Sequence, residues 1–294
     1  MDQHLLVFVT VAEKKNFSRA AEELHMTQPA VSQYIQALEN QIGVKLLDRT
    51  NKYVRLNKAG EIVYYHAKEI LSQYTKMKRL IDDLTNQPSG EMNIGASYTF
   101  GEYVLPSIIS VLRNRFPRIT PTITIANSKE ISELVANQQL DIGIIESKYQ
   151  RKGILIEPFA TDFMYVYVSP NHPLAKKGTV AKDDLQNVTW IIREEGSGTR
   201  EATEMLWYYL DMKETNKMEF GSTQVIKESV EAGLGVTFLS KWAVQKELTL
   251  KTLTKLSVPH TPFSRSFSIV KPKSSFEPKS VELLTRLLHE AIQR

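Results

Sequence analysis

The segment from Asn16 to Glu39 restricts the folds open to this chain more than any other stretch. Ser18 is placed to cap a short helix that carries Glu22 and Glu23 in its following turns and Ala20, Ala21 and Leu24 on one side. His25-Met26 reads as a turn, at a point where glycine is common in motifs of this kind. Thr27 caps the next helix, and Pro29 lies in its first turn, where a missing N–H costs little. This helix is expected to run to about Glu39, with Val31, Ile35 and Leu38 at steps of four and three and therefore on one face. Upstream, Leu5, Leu6, Phe8, Val9 and Ala12 give a further amphipathic helix. Two helices joined by so short a turn, with the small Ala21 at their contact, read as a helix-turn-helix.

The outward face of the third helix presents Gln28, Ser32, Gln33 and Gln36. Glutamine can pair in bidentate fashion with adenine N6/N7, and serine can donate or accept, so this face suits base edges in a major groove. The alternative is a helical bundle whose polar face merely meets water. The next segment weighs against it. Leu46–Asn57 reads as strand, turn, strand, and residues 49–58 hold Arg49, Lys52, Arg55 and Lys58 without a carboxylate. A basic β-wing following a helix-turn-helix is suited to phosphate and minor-groove contact.

These residues resemble a known family. Asn16–Leu24, Thr27–Gln33, Ile35–Glu39, Gly43–Arg49 and Asn57–Gly60 are similar to the N-terminal signature of the LysR-type bacterial transcription regulators, over about 60 contiguous residues. The resemblance implies that Ser18, Thr27, Gln28, Ser32 and Gln33 lie at double-stranded promoter DNA, with Arg49 and Arg55 contacting its backbone or minor groove. Arg19, Pro29, Gln36 and Lys52 complete the candidate DNA-binding set. Gln33 stands where the family often has a long basic residue, which would weaken guanine readout. The implied fold is α/β: an N-terminal all-α winged helix-turn-helix (1–57), a long linker helix for dimerisation (58–87), and a two-lobed effector domain of the periplasmic-binding-protein type (90–294).

The linker reading also stands on periodicity. Val63, Ala67, Ile70, Tyr74, Met77, Ile81 and Leu84 recur at alternating steps of four and three, with Glu61, Lys68, Glu69, Ser72, Lys76, Lys78 and Asp82 outside the seam. About 28 residues at 1.5 Å each span roughly 40 Å, too long for one small neighbour to cover. A paired helix would place two recognition helices on a two-fold axis.

Beyond the break at Pro88-Ser89-Gly90, apolar runs alternate with helical ones. Strands are expected at 92–96, 120–126, 141–145, 154–159, 163–169, 189–192, 218–220, 236–239 and 266–270. Helices are expected at 104–115, 130–137, 201–210, 225–232, 242–246 and 279–293. The alternation indicates βαβ units in mostly parallel sheets. By the resemblance, lobe one covers about 90–161 and 266–294 and lobe two about 162–265, with crossings near 160–162 and 264–266. Ligands of open α/β sheets bind beyond the carboxyl ends of strands. Ser97-Tyr98-Thr99, Ser128, Gly196-Ser197-Gly198-Thr199-Arg200 and Ser222-Thr223 occupy such turns and form the candidate effector site. Each hydroxyl could equally be a plain helix cap. Together they suit a small anion, with Arg200 as a fixed cation. Glu146 at the same end opposes an anion unless it pairs with a cation. Arg193–Arg200 is similar to the segment of the LysR-type subgroup governing sulfur assimilation and carbon fixation, which implies a sulfite- or sulfate-like oxyanion or a phosphorylated metabolite.

Composition narrows the rest. The 294 residues make about two domains, and 42% hydrophobic against 24% charged residues excludes a disordered chain. The absence of cysteine excludes disulfides, thiolate metal sites and thiol nucleophiles. The net charge of +4 is too small to identify a nucleic-acid binder by itself. The six histidines show no metal spacing, Asp183-Asp184 reads as a helix start, and Gly196–Thr199 lacks a nucleophile-elbow or phosphate-loop pattern. No catalytic residue, metal or cofactor is expected. No signal peptide or membrane span is read, so the expected location is cytoplasmic. The expected partners are promoter DNA, a small anionic effector and further copies of the chain as dimer or tetramer, with RNA polymerase a further candidate. The rival reading is a stand-alone small-molecule binding protein or enzyme that uses its N-terminal helices as an interaction module.

Overall fold

A computed structural model describes residues 2–49, 53–85, 88–147, 149, 151–212, 216–274 and 276–292, the side chains of residues 2, 79, 82–85 and 292 excepted. The chain divides into two compact units, Met1–Ile81 and Asp82–Arg294.

The first unit opens with α1 (Asp2–Lys14), α2 (Phe17–Glu23) and α3 (Gln28–Ile42), followed by β1 (Leu47–Arg49), β2 (Val54–Leu56) and α4 (Lys58–Thr85). Phe8, Val11, Ala20, Ala21, Val31, Ile35 and Leu46 form its core. The cap of α2 is Asn16 and not Ser18: the Asn16 side chain accepts from the Arg19 N–H, and Ser18 falls inside the helix. His25 adopts φ 52, the left-handed conformation that glycine takes most easily. The third helix passes Glu39 and ends at Ile42, where Gly43 with φ 85 terminates it.

Two seam residues of α4 serve their own domain: Ala67 is buried in this core and Val63 packs against it. The stripe left uncovered is Ile62, Tyr65, Ile70, Tyr74, Met77 and Ile81. The side chains of Asp82 and Leu84 lie outside the described residues.

The second unit continues with β3 (Gly90–Ser97), α5 (Tyr98–Tyr103), α6 (Leu105–Arg115), β4 (Ile119–Ala126), α7 (Ser128–Ala136), β5 (Ile142–Ile145) and β6 (Ile154–Val168). It then forms α8 (Lys182–Gln186), β7 (Trp190–Arg193), α9 (Gly198–Tyr209), β8 (Lys217–Phe220), α10 (Thr223–Glu231) and β9 (Val236–Ser240). It ends with α11 (Gln245–Leu250), β10 (Thr254–Lys255), β11 (Phe263–Pro272) and α12 (Lys279–Ile292). Among the described residues the strands follow the order β4-β3-β5-β11-β6-β9-β7-β8, with β10 on β6. β3 pairs in parallel with β4 and β5, and β7 with β8 and β9. The pairs through β6 and β11 are antiparallel, so the sheet is mixed where a mostly parallel one was expected.

The two strands expected at 154–159 and 163–169 are one strand, β6, which runs through Ala160–Asp162 and pairs with β11 from Ile154 to Met164. These two strands join the lobes. One core gathers Met92, Ile94, Phe100, Leu105, Phe267 and Leu284, another Met164, Val166, Trp190, Leu206 and Phe238. The helix expected at 242–246 starts only at Gln245, because Trp242 and Ala243 form a turn on Ser240. Among the described residues no helix is long and apolar enough to cross a membrane.

Candidate functional site

The N-terminal unit presents the outer face of α3. Val31 and Ile35 are fully buried, which fixes the helix, while Gln28, Pro29, Gln33 and Gln36 are exposed and Ser32 is half-buried. The Gln28 amide donates to Ser32 Oγ at 3.0 Å. Thr27 Oγ1 accepts from the Ala30 N–H at 3.4 Å as the N-cap. Ser18 and Arg19 are exposed on α2.

Behind α3, Glu39 is buried and ties the wing to the helix. Its carboxylate accepts from the Leu46 N–H at 3.0 Å, from Lys45 at 2.9 Å and from Arg49 Nη2 at 3.0 Å. Burial pushes this carboxyl up, but the Leu46 N–H and the Lys45 and Arg49 cations outweigh it and hold it below its ordinary value. Arg49 is therefore an anchored cation, also stacked on Phe17, rather than a freely projecting wing residue. Arg55 is exposed, sits over the Tyr53 ring and pairs in register with Asp48. Lys52 lies outside the described residues. The sequence reading missed Glu39, although a carboxylate among the apolar positions of α3 was visible.

In the second unit a polar cluster lies where the lobes meet. Ser97 ends β3, Thr99 lies in the first turn of α5, Glu146 follows β5, Thr199 lies in the first turn of α9, and Asp162 and Arg265 stand opposite each other on β6 and β11. Arg265 is enclosed. Its Nε donates to Asp162 Oδ2 at 2.9 Å, Nη1 to Glu146 Oε2 at 3.0 Å and to Thr199 Oγ1 at 3.2 Å, and Nη2 to Thr99 Oγ1 at 3.2 Å. Burial works against this guanidinium, but Glu146 and Asp162 outweigh it and raise its affinity for the proton. Burial raises Asp162 above its ordinary value despite Arg265 and the Ser240 hydroxyl, which donates to Oδ1 at 2.6 Å.

Glu146 thus has its cation. Its Oε1 accepts from Ser97 Oγ at 2.8 Å and the Phe100 N–H at 3.1 Å, and Oε2 from Thr99 Oγ1 at 3.1 Å. Its own N–H donates to Ser128 Oγ at 3.2 Å. Gly198 packs on the Glu146 backbone, and a Cβ there would stand 2.6 Å from the carbonyl oxygen. Ser197 caps α9 through the Thr199 N–H at 3.2 Å, and Gly196, with φ 88, accepts from the Lys129 N–H.

A second group adjoins α5. Arg193 is buried, lies 4.1 Å from the centre of the Tyr98 ring, pairs with Glu194 and donates to Thr223 Oγ1 at 3.3 Å. Two expected site residues do not join either group as expected. Arg200 is held by Glu204, Glu219 and the Arg193 carbonyl, so it is no spare cation for a ligand. Ser222 precedes α10 without a side-chain cap bond. Arg265 and Arg193 are buried cations at the lobe junction that the sequence reading did not select. Among the described residues no group of histidines and carboxylates could hold a metal ion.

Residues 3–61 match the family model for a bacterial regulatory helix-turn-helix protein of the lysR family, and residues 85–293 match the LysR substrate binding domain. The chain is 33% identical over 289 residues to the HTH-type transcriptional regulator CysL of Bacillus subtilis (strain 168), covering 98% of this chain and 97% of that protein. It is 31% identical over 288 residues to a probable RuBisCO transcriptional regulator of Chlorokybus atmophyticus, covering 96% and 92%. A full-length OxyR from Pseudomonas aeruginosa superposes with a TM-score of 0.76 at 25% identity, covering 99% of this chain and 95% of that one.

Proposed function

The chain belongs to the LysR family of bacterial transcription regulators, a DNA-binding protein with an effector-binding domain, and on that premise we propose that a small anionic effector at the lobe junction controls how it holds promoter DNA. The observation that carries the DNA part is the face of α3: Gln28, Gln33 and Gln36 stand exposed while Val31 and Ile35 lock the helix from behind. In this reading residues 1–57 bind DNA, 58–87 link and dimerise, and 90–294 sense the effector. The uncovered stripe from Ile62 to Ile81 supports pairing of two copies, and a tetramer of two such pairs would occupy two sites on one promoter. The compartment is the cytoplasm, where promoter DNA and RNA polymerase are reached.

Effector control is a shift between two lobe arrangements. The ligand moves that equilibrium only as far as it binds the two states unequally. A small oxyanion of the sulfate or sulfite kind, or a phosphorylated metabolite, suits a junction where Thr99 and Thr199 meet Arg265 beside Ser97.

The test is fluorescence anisotropy of the purified chain on fragments upstream of its own gene. The expected result is saturable binding to a site of two-fold symmetry that outlasts competitor DNA. Binding to no fragment, or equal binding to all, would reject the regulator and return the rival reading of a free-standing ligand-binding protein.

A further inference from the structure

Glu146 uses all of its hydrogen-bonding capacity inside the protein. An ionised carboxylate offers about four acceptor sites, and those of Glu146 are taken by Ser97 Oγ, the Phe100 N–H, Thr99 Oγ1 and Arg265. Two hydroxyls, a peptide N–H and a guanidinium form the donor set that an oxyanion would itself require. Charge acts in the same direction. Two carboxylates, Glu146 and Asp162, already face one guanidinium. A further anion added to that arrangement would meet repulsion at short range with little water to screen it.

We propose that Glu146 is a tethered competitor of the effector: its carboxylate holds the place of a small oxyanion, which enters by displacing it from Ser97, Thr99 and Arg265. The proposal rests on the cleft reading above and adds how that site is regulated. The backbone of Glu146 is held in place, since its N–H is bound to Ser128 and its carbonyl packs on Gly198. The exchange therefore asks only the side chain to leave its four partners. The displaced carboxylate stays attached at high local concentration, so the anion works against an intramolecular rival and binds more weakly than the cage alone would allow. The exchange also reaches both lobes. Arg265 leans on Asp162 of β6 and Thr199 of α9, so replacing its Glu146 partner alters a contact that spans the junction.

The experiment is calorimetric titration of inorganic sulfate into the full-length protein, with inorganic phosphate as a second probe, for the wild type, Glu146→Gln and Glu146→Asp. Glu146→Gln removes the competing charge. Glu146→Asp keeps the charge but withdraws it by about 1.5 Å, one carbon–carbon bond. Both should bind one of the two anions about tenfold more tightly than the wild type, a difference equal to roughly 1.4 kcal/mol. Equal or weaker binding in whichever variant folds would overturn the proposal, as would no binding of either anion by any of the three proteins. A crystal of the wild type soaked in sulfate needs no substitution. Sulfate on Arg265 with Glu146 rotated away supports displacement, whereas sulfate beside an unmoved Glu146, or a cleft without sulfate, refutes it. Operator binding measured on the same preparations tests the regulator reading separately, because the anion titration is read without DNA.

Discussion

Arg265 and Asp162 are register partners on the two antiparallel strands that cross between the lobes, and their side chains close a 2.9 Å ion pair with 6% and 0% exposure. The pair sits where β6 and β11 run through the junction, with Glu146 on its far side. A buried ion pair is poor evidence for stability by itself, because desolvation offsets much of the attraction. Its effect is conditional: with Arg265 present both carboxylates have a cation, and with it removed neither does.

Arg265→Met should therefore destabilise the effector domain by roughly 3–5 kcal/mol, since it leaves two buried carboxylates without a cation. Denaturant unfolding of the full chain measures this. Adding Glu146→Gln and Asp162→Asn to the same protein should restore most of the loss. A single substitution costing under about 1 kcal/mol would mean that water enters the junction and screens the charges.

Gly198→Ala should lower stability by about 1–3 kcal/mol, the usual range for forcing extra volume into a packed contact. The new methyl would meet the Glu146 carbonyl at 2.6 Å, and a backbone atom cannot rotate away. Gly178→Ala is the control, because nothing lies within 4 Å of a Cβ built there. Equal melting temperatures for the two variants would show that the lobes separate at no cost.

Thr99→Ala combined with Thr199→Ala removes the two hydroxyls that accept from Arg265. The expected outcome is loss of the effector response in an anisotropy assay while affinity for the operator without effector is retained. An unchanged ligand titration would place the effector elsewhere.

The parts legible in the sequence were those with local signals. The faces of α3, its Thr27 cap and the strand-turn-strand wing follow from spacing and capping chemistry within a few residues. Features that depend on distant partners were not legible. Arg265 lies in an alternating strand, where a cation ordinarily marks the solvent face, and its partners Thr99 and Asp162 are 166 and 103 residues away. α5 has six residues, a Gly101 within it and no repeat of its own, so nothing local announced a helix. The crossing expected near 160–162 is no break, because β11 supplies partners to β6 from Ile154 to Met164. Arg200 resembled a ligand cation only because Glu204 and Glu219 were not known to face it.

Glu39 makes the winged domain acid-sensitive in a defined direction. Its carboxyl is held below the ordinary value in the folded state, so its contribution is fully present above the unfolded value of about 4.3 and is lost as pH falls through the lower folded value. Glu39→Gln keeps an acceptor for the Leu46 N–H but releases Lys45 and Arg49. The variant should be less stable at neutral pH and should lose less on acidification than the wild type. Parallel pH profiles of melting temperature would show that Glu39 does not carry this linkage.

Gln33 distinguishes base reading from mere charge attraction. It is exposed on α3 on the face turned away from buried Val31 and Ile35, and its amide carries no net charge to attract phosphate. If it reads a base edge, Gln33→Ala should cost about 1–3 kcal/mol at one base-pair position and relax specificity there. The slope of log affinity against log salt should stay the same, because no phosphate contact is lost. Replacing the exposed Arg55 should do the opposite, weakening every sequence alike and flattening the salt slope by about one unit. Binding measured on an operator and its single-base variants at several salt concentrations separates the two. A uniform loss across all sequences for Gln33→Ala would remove this residue from the readout and leave the wing and the helix ends to position the protein on DNA.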